Sequence, residues 1–321
     1  MGKKYSLGSD SLLLITAAIW GFGFVAQRAG MPHMGPFLFS GIRFAMGVVF
    51  LLPFLAARRV RKRRDEKKSG AEKSGRQEKE GGVGQAVAIG CLVGSFLFMG
   101  VSLQQVGLVY TTAGNAGFIT GLYVVIVPIA GLIFGLRVAL GTWVGVFFAS
   151  VGLYFLSVTD QFTMGYGDML ELAGAFFWAG HVIAVDRVLN RIDPLKLAVI
   201  QFSFCSILSM AIALAVEEIS MQGISGAAIP LLYGGFGSVG IAYTLQLVAQ
   251  RHAAPAHVAI ILCLETVFAA FGGWLILGES ISVRGMFGAG LMLLGMIASQ
   301  LTPLIFNSSV IKRFKETTWK N

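Results

Sequence analysis

The sequence predicts an all-α membrane protein of ten transmembrane helices, arranged as two inverted five-helix repeats. Three observations carry that expectation. The 321-residue chain is 55% apolar and only 13% charged, with a mean hydropathy of +0.75. Ordinary soluble domains hold about 25% charged residues, so this chain has too little polar material to coat a water-facing surface. Ten apolar runs follow one another with short connections, save at 58–83, and a bilayer span needs about 20 such residues. The second half also repeats residues of the first at fixed spacing.

The runs fall at 11–29, 36–57, 84–108, 113–135, 139–158, 168–187, 196–216, 226–249, 255–278 and 283–305. They are too long for strands and lack period-two alternation. The first run could pass for a secretory leader. It continues through Trp20-Gly-Phe-Gly-Phe-Val with no small-residue cleavage site after it, and so reads as a span. Residues 58–83 hold eleven Lys/Arg against five acids among Gly and Ser, and are expected to be a disordered cytoplasmic tether. This linker carries most of the net charge of +9, which therefore marks no nucleic-acid partner; membrane lipids are the partner such a basic cluster meets. Cys91, Cys205 and Cys263 lie in apolar runs without CxxC spacing and read as packing residues.

Basic residues set the orientation. With the N-terminus inside, 22 of the 25 Lys/Arg lie on the cytoplasmic side, including the linker and the 306–321 tail. Arg28 and Arg284 remain outside with Asp160, Asp168, Glu217, Glu218 and Glu279, and Arg43 lies within a span. The expected location is multi-pass in a bacterial inner membrane, with both termini cytoplasmic.

The repeat aligns Trp20 with Trp178, Arg28 with Arg187 (one residue out of step), Pro36 with Pro194 and Arg43 with Gln201, at a spacing near 158. Further on the spacing is 142–143, pairing Gln104 with Gln246, Gly135 with Gly278, Gly145 with Gly288 and Gly152 with Gly295. The drop falls where the first copy has its long linker. Five spans per copy make the copies inverted, an architecture that places a binding site near the midplane at the repeat interface.

Trp20-Gly in the first span, Arg43 in the second, Leu264-Glu265 and Leu277-Gly278-Glu279 in the ninth, and the glycine-rich fifth and tenth spans resemble the EamA repeats of the drug/metabolite transporter superfamily. The resemblance assigns 11–158 to a first repeat and 168–305 to a second. It implies that spans 1, 3, 4, 6, 8 and 9 line a cavity. The first copy departs from the pattern, with Leu136 opposite Glu279 and Leu122/Tyr123 opposite Glu265.

Glu265 is the carboxylate set deepest in an apolar run, about 15 Å from the cytoplasmic end of its span at 1.5 Å per residue. An acid at that depth is a candidate functional residue. It can be held by partners across the repeat interface, bind a coupling proton or cation, or meet a substrate amine. Arg43 is the other charge at depth, a candidate for gating, for pairing with Glu265, or for meeting an anionic substrate group. Trp20 and Trp178 lie mid-span rather than in interfacial belts. With Gln27, Asn115, Tyr123, His181, Tyr243 and Gln246 they are the candidate substrate-binding residues, because unpaired amides are costly in lipid.

Catalytic, metal and cofactor chemistry finds no motif. Gly235-Phe-Gly237-Ser-Val-Gly240 fits GxGxxG but lies inside the eighth run, without the strand a dinucleotide site needs, and reads as helix packing. His252 and His257 are five apart, off the i, i+4 face of a metal pair. The expected function is a secondary transporter, not an enzyme, with a small-molecule substrate. It would export small organic metabolites, amino acids or drug-like compounds, by alternating access. The alternative is a sugar or nucleotide-derivative exchanger with Arg43 or Arg28 on the anion. An integral-membrane enzyme acting on a lipid would need clustered buried acids, where the sequence offers one isolated acid. A homodimer is left open.

Overall fold

The computed structural model describes residues 7–68, 83–133, 135, 138, 140–157, 165–280, 282–295 and 297–298. All regular structure among them is helical: α1 (Leu7–Gly30), α2 (Pro36–Lys68), α3 (Val83–Tyr110), α4 (Ala113–Gly121), α5 (Tyr123–Ile133), α6 (Leu140–Ser157), α7 (Tyr166–Val188), α8 (Pro194–Val216), α9 (Met221–Gly226), α10 (Ala228–Leu232), a π-helical segment (Tyr233–Ala242), α11 (Tyr243–Gln250), α12 (Pro255–Leu262), α13 (Glu265–Leu277) and α14 (Val283–Gly295). Eight stretches are long and apolar enough to cross a membrane, counting α4–α5, α10–α11 and α12–α13 as one each; α6 and α14 are further apolar helices.

Proline at the first helical position starts α2, α8 and α12, where its missing N–H leaves no bond unmade. Asp193 caps α8 through Leu195 N and Lys196 N, and Thr112 caps α4 through Asn115 N. Helix α2 runs on to Lys68, which corrects the expectation of disorder from residue 58. Arg, Lys and Glu are strong helix formers and extend a turn already nucleated by the span. The rest of that linker, 69–82, lies outside the described residues.

Two predicted spans are broken at matched positions. Leu122 separates α4 from α5, and Cys263-Leu264 separates α12 from α13, in 3₁₀ turns with ψ of −16° and −13°. Tyr123 and Glu265 are the first residues after these turns. Other matched positions behave alike. Gly135 and Gly278 both adopt left-handed φ, +74° and +70°. A Cβ on Gly152 would lie 2.5 Å from the Gly288 carbonyl, and one on Gly295 would lie 2.8 Å from the Gly145 carbonyl. The paired glycines thus bring α6 and α14 backbone to backbone reciprocally. Gly278→Ala is expected to cost about 1 kcal/mol, the penalty of a Cβ in the left-handed region, and a lower melting temperature in detergent checks it.

Helices α2–α8 and α3–α7 form the most extensive pairings, and α1 packs on α13 and the π segment. At one end of the bundle, Glu217 accepts from Phe37 N and Leu38 N at 2.8 Å each, capping α2. Glu279 accepts from Ala113 N and Gly114 N at 3.2 and 3.3 Å, capping α4. Thr111 Oγ1 donates to Asp168 at 2.7 Å there. At the opposite end Arg58 donates to Asp193 at 2.8 Å, and His257 Nε2 lies 2.9 Å from Asp10 Oδ1.

The glycines of 234–240 serve packing, as their sequence context implies. A Cβ on Gly235 would meet Met46 and one on Gly240 would meet Phe50, at 2.6 and 2.7 Å. The wide π turn they permit presents backbone oxygens to α1. Trp20 Nε1 donates to the Ser238 carbonyl at 3.2 Å and Thr16 Oγ1 to that of Ala242 at 3.3 Å. In return the Tyr233 hydroxyl donates to the Ile19 carbonyl at 2.9 Å.

Candidate functional site

A cavity lies between α1, α2, α3, α4, α5, α7, α11, the π segment and the α12–α13 break. It gathers Trp20, Gln27, Arg43, Tyr123, Trp178, His181, Tyr243, Gln246 and Glu265 from segments far apart in sequence, together with Phe24, Gln104, Thr120 and Ser238. Asn115 is not among them; it is exposed in the first turn of α4, where its N–H serves the Thr112 cap.

One wall is a fixed amide relay. Trp178 Nε1 donates to Gln104 Oε1 at 3.0 Å, Gln104 Nε2 to Gln27 Oε1 at 3.2 Å, and Gln27 Nε2 to the Gly23 carbonyl at 3.1 Å. These bonds lock α7, α3 and α1 and fix both amide orientations, since each amide nitrogen must face an acceptor. Across the cavity, Gln246 Nε2 donates to Gln250 Oε1 at 3.1 Å, and Gln250 Nε2 reaches the Val182 carbonyl. Gln246 Oε1 is left buried without a partner.

The aromatic wall centres on Tyr243. Trp178 stacks on it at 28° with centroids 6.3 Å apart, and Trp20 meets it edge-on at 4.5 Å. Both geometries suit the ring quadrupole. His181 packs edge-on to Trp178 and bonds Gln201 Oε1 at 2.9 Å, so one ring nitrogen is spoken for.

Arg43 and the Glu265 carboxyl face this space without meeting. Arg43 is 2% exposed, its guanidinium held over Phe39 and Phe44 at 5.8 and 5.2 Å. Among the described residues no acid pairs with it, and its Nε has no acceptor. The candidate Arg43–Glu265 pair does not form among the described residues, as their different depths imply. Glu265 is the first residue of α13, whose opening N–H groups at Thr266, Val267 and Phe268 are already bonded to the Cys263 and Leu264 carbonyls. The Tyr123 hydroxyl comes within reach of its carboxyl but forms no bond at hydrogen-bonding distance.

Arg28 is occupied elsewhere, donating to the Leu108 and Val109 carbonyls at 2.8 and 3.1 Å. His257 is bound to Asp10 and does not line the cavity. Gln104 had a legible signal, its repeat match with Gln246. Ser238 had none, because its backbone carbonyl bonds Trp20. Thr120 and its partner Glu171, buried in α7, were missed because Glu171 sits only about 8 Å from its helix end at the helical rise.

A family model for EamA-like transporters matches residues 7–158 and 165–299. An uncharacterized transporter of Archaeoglobus fulgidus is 32% identical over 299 residues, covering 92% of this chain and 86% of its own. The uncharacterized transporter YoaV of Bacillus subtilis is 21% identical over 313 residues, covering 93% and 97%. A solved crystal structure superposes with a TM-score of 0.67 at 17% identity, over 92% of this chain and 97% of that one, and shares the fold.

Proposed function

The chain belongs to the EamA-like transporter family, and from that premise we propose that it exports small organic metabolites, with amino acids and related amphipathic compounds as the substrate class. The observation that carries the reading is the unmatched pair Arg43 and Glu265, facing one cavity with aromatic walls between them. A buried charge without a counterion is costly, and a zwitterion supplies both counterions at once. Its carboxylate meets Arg43, its amine meets Glu265, and Trp20, Trp178 and Tyr243 clasp its apolar part.

The chain crosses the membrane ten times as two inverted repeats, 11–158 and 168–305, with both termini in the cytoplasm of a bacterial cell. The glycine crossing of α6 with α14 and the twin helix breaks support the inverted copies. Access alternates as the repeats rock about the cavity, coupled to a gradient through Glu265 or driven by the substrate's own gradient. Apolar faces such as Leu214, Ile229 and Ile276 are covered by lipid.

Purified protein in vesicles, loaded with a panel of amino acids, nucleosides and cationic drugs, tests this. Flux of zwitterions is expected, and no flux for any member of the panel overturns it. An unpartnered Arg43 also suits a phosphorylated sugar or nucleotide derivative; flux that strictly requires a counter-substrate selects that reading. Glu265→Gln separates three roles. If it binds the amine, zwitterion flux falls by about 10- to 100-fold, the loss of one charged hydrogen bond of about 1.5–3 kcal/mol. If it binds the coupling proton, flux persists without its pH response. If it is structural, stability alone falls.

A further inference from the structure

We propose that Glu171 is a proton-binding site, its carboxyl protonated in a dry seam between α3, α4 and α7 and deprotonated only when that seam opens. Glu171 is fully buried (0% exposed) one to two turns into α7. Its Oε2 accepts from Thr120 Oγ1 at 3.1 Å, and its Oε1 has no partner. Gly107 makes the seam tight. A Cβ there would lie 2.8 Å from Oε1, so the carboxyl lies flat on the α3 backbone. One turn away, a Cβ on Gly167 would lie 2.7 Å from the Gly107 carbonyl, so α3 and α7 touch backbone to backbone beside it.

Among the described residues no cation faces this carboxyl. On its own helix stands Asp168, another acid, already bonded by Thr111. Helix α3 brings the Gly107 backbone and α4 brings the Thr120 hydroxyl. On the other elements packed against α7, Tyr123 of α5 turns into the cavity and His257 of α12 is bound to Asp10 at the far end. An ionised carboxylate with one hydroxyl donor and an acidic neighbour loses several kcal/mol of hydration that nothing returns. A proton taken from water at the Asp168 end removes that cost, and the same water receives it back when the seam parts.

The site is tied to the cavity through Thr120, whose side chain bonds Glu171 and which lines the cavity two residues before the α4–α5 break. Proton occupancy therefore favours the closed seam, and opening it wets Glu171. This is separate from Glu265 and needs no identified substrate.

Infrared spectra of the full chain, in vesicles of phosphatidylethanolamine and phosphatidylglycerol, test it from mildly acid to mildly alkaline pH. The wild type is expected to show the carbonyl stretch of a protonated carboxylic acid at neutral pH. Glu171→Gln is expected to lose that band, Glu265→Gln to keep it, and Thr120→Val to shift its frequency through the lost hydrogen bond. A neutral-pH spectrum in this region that is the same in Glu171→Gln as in wild type overturns the proposal. Should Glu171→Gln fail to fold, Thr120→Val decides: a shifted band supports the site, and an unshifted one overturns it.

Discussion

Gly21→Val is expected to abolish the folded protein, and Gly21→Ala to cost about 1–3 kcal/mol, the range for overpacking a filled interior. A Cβ at residue 21 would run into Phe268 Cβ and lie 2.6 Å from the Glu265 carbonyl and 2.9 Å from Ala269 N. Two of these are backbone atoms of α13 and cannot swing aside. Helix α1 would have to move off α13, taking Trp20 from its Ser238 bond and from Tyr243. Domains are stable by only about 5–15 kcal/mol, so valine, with two further methyl groups, exceeds what the crossing can absorb. Size-exclusion profiles and melting curves in detergent check this. A monodisperse Gly21→Val protein with wild-type stability would show that the close crossing is not required.

Arg43→Leu is expected to do the opposite to stability while removing function. Replacing even a paired buried charge by apolar side chains of similar volume is often neutral or stabilising by about 1–4 kcal/mol, and an unpaired one has no attraction to lose. The lost cation–π contacts with Phe39 and Phe44 offset this by about 0.5–2 kcal/mol. A higher melting temperature is therefore expected, together with a fall of about 10- to 100-fold in flux of carboxylate-bearing substrates. Arg43→Lys should keep part of the flux, because a point charge remains without the guanidinium fork. A drop in melting temperature for Arg43→Leu would mean that the arginine holds the fold together instead of waiting for a ligand.

Much of the framework was legible because hydropathy is read one segment at a time. Proline and the apolar runs located most helix starts to within a few residues, as at Pro36, Pro194 and Pro255. Eight of the cavity candidates, and Arg43, converge because repeat matches and depth mark the same layer of the bundle. Asn115 lies outside the cavity lining, its side chain exposed beside the Thr112 cap, a local placement that a polar-face argument does not see. The π segment was illegible, since its wide turns come from close packing on Met46 and Phe50 rather than from any period in its own residues. Glu171 was overlooked for a related reason. Its burial is imposed by Gly107 of another helix, so distance from its own helix end misjudged its surroundings.

The twin 3₁₀ turns turn α13 into a lever. Its 13 residues span about 20 Å at the helical rise, pivoting at Glu265 and carrying Glu279 just past the far end. A tilt of about 10° at the pivot moves that tip by roughly 3 Å, by the geometry of a rod of that length. Such a displacement doubles the 3.2 and 3.3 Å reach of Glu279 to the start of α4. The cavity acid and the rim clasp thus stand at opposite ends of one 13-residue helix.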